Sequence, residues 1–543
     1  MKRVVKRSPF TFAGLIALCA ILAALAPSAF ASSAPTPGAS AFGYQNYPAP
    51  TGYPTFPAGE PSIGANWNTG NVLYQGSLQT SRVTFSDANS PASDPSATAM
   101  WKDVSSPQTS LLSLDSILFT DHTTGRTFVT QLGTTTAFAA FTDNDGATIP
   151  YTTSVIQPTN DIDHETVSGG PFSVNAPLPA GVASSIYPHA FYYCSQGIAD
   201  AGCQISLDGG LTFHSSGAKM YTLAQCNGLH GHVKVAPDGT VYVPNKNCGG
   251  QQAAAVSTDD GATWNVYNVP DSVSPTNTGS WDPSVGVGLN NVGNPAGANA
   301  ITNTVYFGYD DNSGHPKIAV SHDEGKTWDK SVDVGLPFGI QNTAFPAVVA
   351  GDDNRAAFAF LGSATGGNGG VADPTQFSGI WHLYIATTTD GGATWTTVDA
   401  TPNDPVQRGP ICSQGTTCMG SQNTRNLLDF MDETVDKYGR VLVGYADGCM
   451  DACDAGGDTG TNPNSYSAYP TIARQTAGPR LFTQYDPAGA GTGSGGTTPT
   501  ATPEPDSGVL YGTGAVALLA SMALWRRRAR RSGAGSDHSA ATE

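Results

Sequence analysis

The sequence predicts an all-β fold: a single β-propeller of seven four-stranded blades, or of six if the segment Glu60–Trp101 is an elaboration. The composition is the first reason. Of 543 residues, 64 are Gly, 38 are Pro and only 13% are charged, which is too few Glu and Lys for a helical bundle or a coiled coil. The second reason is a turn motif that recurs along the chain. The third is that strand-forming segments repeat roughly every 50 to 80 residues, the length of four-stranded units in series.

Residues 1–31 are predicted to be a secretory signal. A basic stretch from Lys2 to Arg7 precedes an apolar stretch from Ala13 to Ala26, and Ala29-Phe30-Ala31 has the small-residue spacing of a signal peptidase site. An uncleaved N-terminal membrane anchor is the alternative, but the apolar stretch is short for that role. The mature chain is therefore expected to be exported.

The C-terminal part is predicted to be a membrane anchor. Residues 488–507 form a linker rich in Gly, Thr, Ser and Pro. The uncharged stretch 508–525 is just long enough to cross a bilayer as a helix, and the arginine-rich tail 526–543 would stay in the cytoplasm. Pro503-Glu504-Pro505, followed by an apolar helix and arginines, resembles the bacterial PEP-CTERM sorting tail. The resemblance implies attachment to the cell surface.

The body of the chain is strongly acidic. After a lead-in at residues 32–55, the propeller is predicted to span residues 56–487. Between residues 32 and 525 there are 16 basic and 41 acidic residues. This imbalance repels phosphate backbones and argues against a nucleic-acid partner, and it is compatible with neutral sugars, cations or basic partners. We expect an extracellular glycan or protein ligand and a monomeric chain. No cofactor is certain, and calcium stays open.

The cysteines are predicted to form disulfides. Cys19 leaves with the signal, and eight cysteines remain in the exported chain, an even number that suggests pairing. A metal cluster is the alternative, but paired C-x-x-C spacing is missing from the sequence. Connectivity does not follow from sequence, and the close spacing favours local pairs: Cys194–Cys203, Cys226–Cys248, Cys412–Cys418 and Cys449–Cys453.

The recurring motif has the pattern Ser/Thr-x-Asp-x-Gly-x-Thr-Trp/Phe. The Asp carboxylate is expected to accept hydrogen bonds from the backbone of its own turn, and Gly supplies a positive φ. Apolar, strand-forming residues precede the copies, so each copy is predicted to be a tight hairpin between two strands, with its aromatic packed between sheets. The central residues are Asp208, Asp259, Asp323 and Asp390, with Asn144 in a weaker fifth copy.

This pattern resembles the Asp-box, or BNR repeat, of sialidases and related β-propellers. The resemblance implies that the motif joins the third and fourth strands of a blade, on the face away from the ligand. The five central residues are therefore expected to be structural. It also implies an exported protein that binds or hydrolyses glycans, an exo-sialidase-like glycoside hydrolase if it is an enzyme.

The catalytic set of sialidases is not evident in this chain. Sialidases clamp the substrate carboxylate with three arginines, whose planar forks match it, and they carry an Arg-Ile-Pro that is missing here. Eight arginines lie between residues 32 and 525, and two of them, Arg408 and Arg425, fall in a predicted ligand-side loop. No catalytic residue is therefore carried over from that family.

Candidate site residues come from the predicted starts of the innermost strands, where propellers usually bind ligands. His230 and His232 are two apart on a predicted strand, so both imidazoles would point to one side. Imidazole beside carboxylate suits general acid–base catalysis or a metal; the alternative is that these groups satisfy one another or water. The catalytic candidates are His230, His232, Asp282, Glu60, Asp429 and Asp432. The substrate-binding candidates are His189, Trp281, Arg408 and Arg425.

Three functional hypotheses follow. The leading one is an exported, membrane-anchored, sialidase-like propeller that binds or hydrolyses extracellular glycans. The second is a non-catalytic propeller that recognises proteins or matrix polymers. The third is a metal-dependent enzyme or a lyase that uses the channel histidines.

Overall fold

The computed structural model describes most of the predicted propeller. The described residues are 36–37, 42–53, 57–110, 115–133, 136–150, 152–156, 163–176, 186–197, 200–275, 281–289, 303–418, 423–455, 457 and 463–487. The predicted secretory signal (1–31), linker (488–507) and anchor helix (508–525) lie outside them. Among the described residues, no helix is long and apolar enough to span a membrane.

The chain forms a seven-bladed β-propeller, as the sequence predicts, and each blade is an antiparallel sheet of four strands. Two N-terminal strands, β1 (Thr36–Pro37) and β2 (Gly43–Pro48), join the last two blades. Blade 1 holds β3 (Ser62–Ala65), β4 (Val72–Gly76), β5 (Gln79–Phe85) and β6 (Ala99–Asp103). Blade 2 holds β7 (Ser116–Thr120), β8 (Thr127–Leu132), β9 (Thr136–Thr142) and β10 (Thr152–Ile156). Blade 3 holds β11 (Asp163–Pro171), β12 (His189–Gln196), β13 (Asp200–Ser206) and β14 (His214–Thr222).

The remaining blades follow in chain order. Blade 4 holds β15 (Lys234–Val235), β16 (Val241–Cys248), β17 (Gln251–Ser257) and β18 (Asn265–Asn268). Blade 5 holds β19 (Ser284–Val287), β20 (Val305–Asp310), β21 (Pro316–Ser321) and β22 (Val332–Asp333). Blade 6 holds β23 (Asn342–Ala350), β24 (Ala356–Ser363), β25 (Ile380–Thr388) and β26 (Thr396–Asp399), with β27 (Gln407–Arg408) paired to β25. Blade 7 holds β28 (Asp432–Val435), β29 (Val441–Asp447) and β30 (Tyr469–Ala477). Short 3-10 helices lie at Leu336–Phe338, Gly415–Cys418 and Thr483–Tyr485.

The first strand of each blade lines a central channel. Neighbouring first strands contact one another around the ring, and the ring closes where β28 meets β3. Aromatic side chains of the recurring motif fill the gaps between blades. For example, Trp395 of blade 6 lies edge-on to Tyr306 of blade 5, with ring centroids 6.2 Å apart. Burial of such large rings between sheets supplies much of the inter-blade stabilisation.

The N-terminal strand β2 closes the ring. It pairs with β30 and becomes the fourth strand of blade 7, while β1 runs parallel to β26 at the edge of blade 6. The propeller therefore begins earlier than residue 56, and the predicted lead-in at 32–55 contains part of it. Tyr47 of β2 is buried and lies 5.0 Å from the Phe85 ring of blade 1.

The motif turns join the third and fourth strands of blades 2 to 6. In the copy around Asp259, the carboxylate accepts hydrogen bonds from Ser257 Oγ (2.9 Å), Thr263 N (2.8 Å) and Thr263 Oγ1 (2.6 Å). Gly261 has a φ of +80°, which an L side chain would adopt only with strain. The same contacts recur at Asp208, Asp323 and Asp390, and Asn144 bonds Thr148 in the fifth copy.

We expect Asp259→Ala to lower the free energy of unfolding by about 1–2 kcal/mol, because the turn loses several hydrogen bonds to a charged acceptor. Asp259→Asn keeps one acceptor oxygen and should cost less. Urea unfolding monitored by tryptophan fluorescence measures both values. Equal stability of Asp259→Ala and the wild type would contradict a structural role for this turn.

The four predicted disulfides are present. The structure pairs Cys194 with Cys203, Cys226 with Cys248, Cys412 with Cys418, and Cys449 with Cys453. The first links directly opposed positions on β12 and β13. Each disulfide closes a short local loop, which restricts the unfolded chain.

Candidate functional site

The central channel encloses a cavity of about 340 Å³. Its wall is formed largely by residues of the first strands, among them many valines and glycines. We call the end where the first strands begin the upper mouth, and the end where they finish the lower mouth. Because strands alternate in direction, the motif turns after the third strands lie on the lower side.

A small polar pocket lies at the upper mouth; we call it the upper pocket. Its volume is about 30 Å³, enough for one or two water-sized groups. All six catalytic candidates line it, together with three residues that the sequence did not single out. The ionisable side chains are Glu60, Asp115, His164, Glu165, His230, His232, Asp282, Asp429 and Asp432.

His230 presents a basic nitrogen to this pocket. The residue is 2% exposed and forms an isolated bridge with Asn245. Its Nδ1 lies 3.0 Å from the Gly231 carbonyl oxygen, so Nδ1–H donates there. Its Nε2 has no hydrogen-bond partner among the described residues. Burial and the neighbouring His164 lower the pKa of His230 to about 4. The imidazole is therefore neutral near pH 7, with the Nε2 lone pair available.

Asp282 lies within a network of charged groups. Its carboxylate contacts His164 Nδ1 at 2.7 Å and Lys246 Nζ at 3.0 Å. Burial opposes ionisation, but these two partners outweigh it and hold the pKa of Asp282 well below its usual range. Asp282 is therefore an anion that orients His164, whose ring lies 6.3 Å from that of His230.

Glu60 is the carboxyl of the pocket whose surroundings oppose its ionisation. It is buried, and the pKa of its carboxyl is raised well above the usual value by burial and by the facing carboxyls of Asp115 and Asp429. Arg425 holds Asp429 with both of its terminal nitrogens, one of them 2.5 Å from Oδ1. Glu60 and Asp429 therefore have different surroundings although they line the same pocket.

Two further carboxyls complete the wall. Glu165 accepts hydrogen bonds from Thr130 Oγ1 (3.0 Å) and Tyr193 O–H (2.8 Å), and burial raises its pKa well above the usual value. Asp432 accepts from the Ile63 N–H at 3.2 Å. Lys234 and His232 lie 3.8 and 3.9 Å from the Asp432 carboxylate, and they lower its pKa despite burial.

Backbone geometry at the pocket is unusual in two places. Glu60 and His164 have φ values of 56° and 53°, in the left-handed region that non-glycine residues rarely adopt. A register shift between Asp163 and Thr166 interrupts the β11–β12 ladder beside His164. Strained positions of this kind concentrate at functional sites, where the surrounding structure holds them in place.

The predicted substrate-binding residues are dispersed. His189 opens β12, which runs opposite to β11, so it lies near the lower mouth, where Nδ1 contacts Asp121 at 3.0 Å. Trp281 is 4% exposed and packs edge-on against Phe345. Arg408 donates to the Cys453 and Gly457 carbonyl oxygens. His189, Trp281 and Arg408 are not among the lining residues of the upper pocket, and Arg425 lies beside it, bonded to Asp429.

The three residues that the sequence analysis missed belong to blades 2 and 3. Asp115 directly precedes β7, and His164 and Glu165 lie at the beginning of β11. The rule that placed the other candidates, polar residues where a first strand begins, also applies to these. The third repeat has no clear turn after its first strand, because the connection between β11 and β12 is long. The beginning of β11 was therefore not evident from the sequence.

The described histidine, cysteine and acidic side chains include no group of three arranged to hold a metal ion. The His230–His232 pair therefore has no evident third ligand in this part of the chain. Its surroundings in the upper pocket are carboxyl and imidazole groups.

Comparison with known proteins finds similarity among solved structures. No family model and no curated protein match the sequence. A protein of unknown function from Dyadobacter fermentans aligns over 82% of this chain and 97% of its own, with 13% identity and a TM-score of 0.34. The intramolecular trans-sialidase from Ruminococcus gnavus, in complex with oseltamivir carboxylate, aligns over 76% and 93%, with 13% identity and a TM-score of 0.32. The GH74 enzyme from Niastella koreensis aligns over 72% and 63%, with 12% identity and a TM-score of 0.34. Similarity of this size does not extend to function.

Proposed function

We propose that this protein is an exported β-propeller, anchored to the membrane by its C-terminal segment, that binds extracellular glycans at the upper pocket. The observation that carries the proposal is the convergence of carboxyl and imidazole groups from several blades at one end of the channel. Such groups accept and donate the hydrogen bonds that sugar hydroxyl and amino groups make. The signal-like and anchor-like ends support presentation outside the cell.

The size of the pocket determines what enters it. A volume of about 30 Å³ accepts one substituent of a sugar, such as a hydroxyl or amino group, but not a whole ring. The glycan is therefore expected to lie across the upper mouth and to insert one polar substituent. Binding in this geometry is specific for the inserted substituent. A ligand that leaves a buried polar group of the pocket without a hydrogen bond loses more binding free energy than a correct hydrogen bond contributes.

A glycan array probed with the full-length protein in detergent tests the proposal. We expect Glu60→Gln to weaken binding by about tenfold or more, since it removes an ionisable group from the pocket wall. Asp329→Asn is the matched control, because that carboxylate is exposed on the lower side of blade 5. If the wild type binds no glycan, or if both variants bind like the wild type, the proposed site is wrong. Binding to matrix proteins instead would favour a recognition scaffold.

Hydrolysis or elimination of a glycosidic bond is a second candidate function. The specific observation is that Glu60, a carboxyl whose pKa is raised, and His230, an imidazole whose pKa is lowered to about 4, line the same pocket. An acid and a base in reach of one bond are the elements of general acid–base catalysis. A panel of chromogenic glycosides and uronate polymers measures turnover. We expect His230→Gln to lower kcat about 100-fold or more if the pair is catalytic.

A further inference from the structure

We propose that the upper pocket selects amino sugars: it takes the free, positively charged amino group of a glucosamine-type glycan and rejects sugars that carry carboxylates. This inference rests on the proposed glycan-binding function and adds the class of substrate. It departs from the sialidase resemblance, which implies an acidic sugar.

The first argument is the balance of charge at the pocket wall. Six carboxyl-bearing residues line the pocket, and no lysine or arginine is among its lining residues. Neighbouring lysine and arginine side chains each face one of these carboxylates: Lys246 lies 3.0 Å from Asp282, Arg425 contacts Asp429, and Lys234 lies 3.8 Å from Asp432. A ligand in the pocket therefore meets carboxyl oxygens and imidazole nitrogens.

The second argument is an unused acceptor. His230 Nε2 is buried, unpartnered among the described residues and neutral. It can accept a hydrogen bond from an N–H but can donate none. A carboxylate substituent would place its oxygens against this lone pair and beside the Asp282 anion, which is unfavourable in a buried site.

The third argument is size. An ammonium group is close to water in size and carries three donors, so it fits a pocket of about 30 Å³. An N-acetyl group is several times larger and brings a carbonyl oxygen, which is another acceptor. The pocket should therefore discriminate between free and acetylated amino groups.

A proton should leave when the amine binds. Glu60 faces Asp115, Asp429 and Arg425, and burial together with the two carboxyls raises its pKa despite the arginine. An ammonium group beside it stabilises the ionised carboxylate, so its pKa falls on binding. The proton and the amine compete for Glu60. Affinity should therefore rise as the pH rises through the range in which free Glu60 titrates.

Isothermal titration calorimetry tests this with three probes: a glucosamine tetramer, an N-acetylglucosamine tetramer and a galacturonate tetramer. We expect the glucosamine tetramer to bind about tenfold tighter or more than the acetylated one and the galacturonate not to bind. Titrations in two buffers of different ionisation enthalpy should show proton release. Glu60→Gln should abolish this release, and Asp329→Asn should preserve it.

The outcomes are distinguishable. If the acetylated or galacturonate tetramer binds as well as the glucosamine tetramer, the inference is overturned while glycan binding stands. If none of the three binds, the proposed function fails with it. If spermine or polylysine binds as tightly as the glucosamine tetramer, the ligand is a basic polymer and the glycan assignment is overturned. If Glu60→Gln does not fold, the affinity of the wild type for the glucosamine tetramer is measured over a series of pH values instead. An affinity that stays constant in acid would contradict competition between the proton and the amine for Glu60.

Discussion

We expect Asp436→Asn to lower the free energy of unfolding by about 3–5 kcal/mol, because it removes one partner from a buried network of charges. Asp436 lies in the turn between β28 and β29. Its carboxylate contacts Arg440 Nη1 at 2.9 Å and lies 3.8 Å from Arg474 Nη2. It also accepts hydrogen bonds from the Tyr438 and Arg440 backbone N–H groups. An asparagine oxygen keeps the backbone contacts, so the substitution isolates the effect of charge.

The network contains more cations than anions. Arg440, Arg474 and Arg480 are each at most 1% exposed, and the carboxylates among them are Asp436 and Asp87, which contacts Arg474 at 2.8 Å. Burial and the two neighbouring arginines lower the pKa of Arg480 to about 10. Loss of either carboxylate would leave three buried guanidinium groups facing a single anion.

This imbalance predicts opposite responses to opposite changes. Arg480→Met removes the surplus positive charge and keeps much of the side-chain volume. Its cost should therefore stay within about 1 kcal/mol, or it should even stabilise the protein. Guanidinium unfolding, followed by circular dichroism, compares the two variants. If Asp436→Asn lowers the free energy of unfolding less than Arg480→Met does, the balance of charge does not determine the stability of this network.

The architecture could be predicted because its signal is local. Each copy of the motif fixes a hairpin through contacts within eight residues, as at Ser257–Trp264, and the copies count most of the blades. Ring closure has no such signal. The pairing of Tyr47 in β2 with Ile472 in β30 joins residues at the two ends of the propeller, and periodicity cannot show which distant strand a segment pairs with.

The residues of the candidate site were also predictable only where the signal lies in the order of the chain. His230, Asp282 and Asp432 were located because they lie where a first strand begins, and that position depends on chain order. His189 lies outside the upper pocket because its strand runs in the opposite direction. The arginines were also hard to place. Arg440 pairs with Asp436 in its own turn, and it also donates to the Ser90 and Ala92 carbonyl oxygens of blade 1.

Deletion of residues 32–48 should prevent the protein from folding stably. The deletion removes β2, so blade 7 loses its outer strand and β30 exposes an unpaired edge. The lost strand contributes a ladder of six residues and the buried Tyr47 ring. At about 1 kcal/mol for each hydrogen bond and 2–3 kcal/mol for the ring, the loss is comparable to the whole stability of a typical domain.

Two further variants show whether closure is the cause. Deletion of residues 32–41 alone keeps β2, and it should leave thermal unfolding within a few degrees of the wild type, since β1 pairs over two residues only. A permuted chain that carries residues 42–53 after residue 487 should restore the stability that the longer deletion removes, because β2 can still pair with β30 in the antiparallel direction. Restored stability would show that the ring closes whichever end of the chain supplies β2. If the permuted chain fails to fold while the chain lacking only residues 32–41 folds normally, that result would contradict the view that β2 stabilises the protein only by closing the ring.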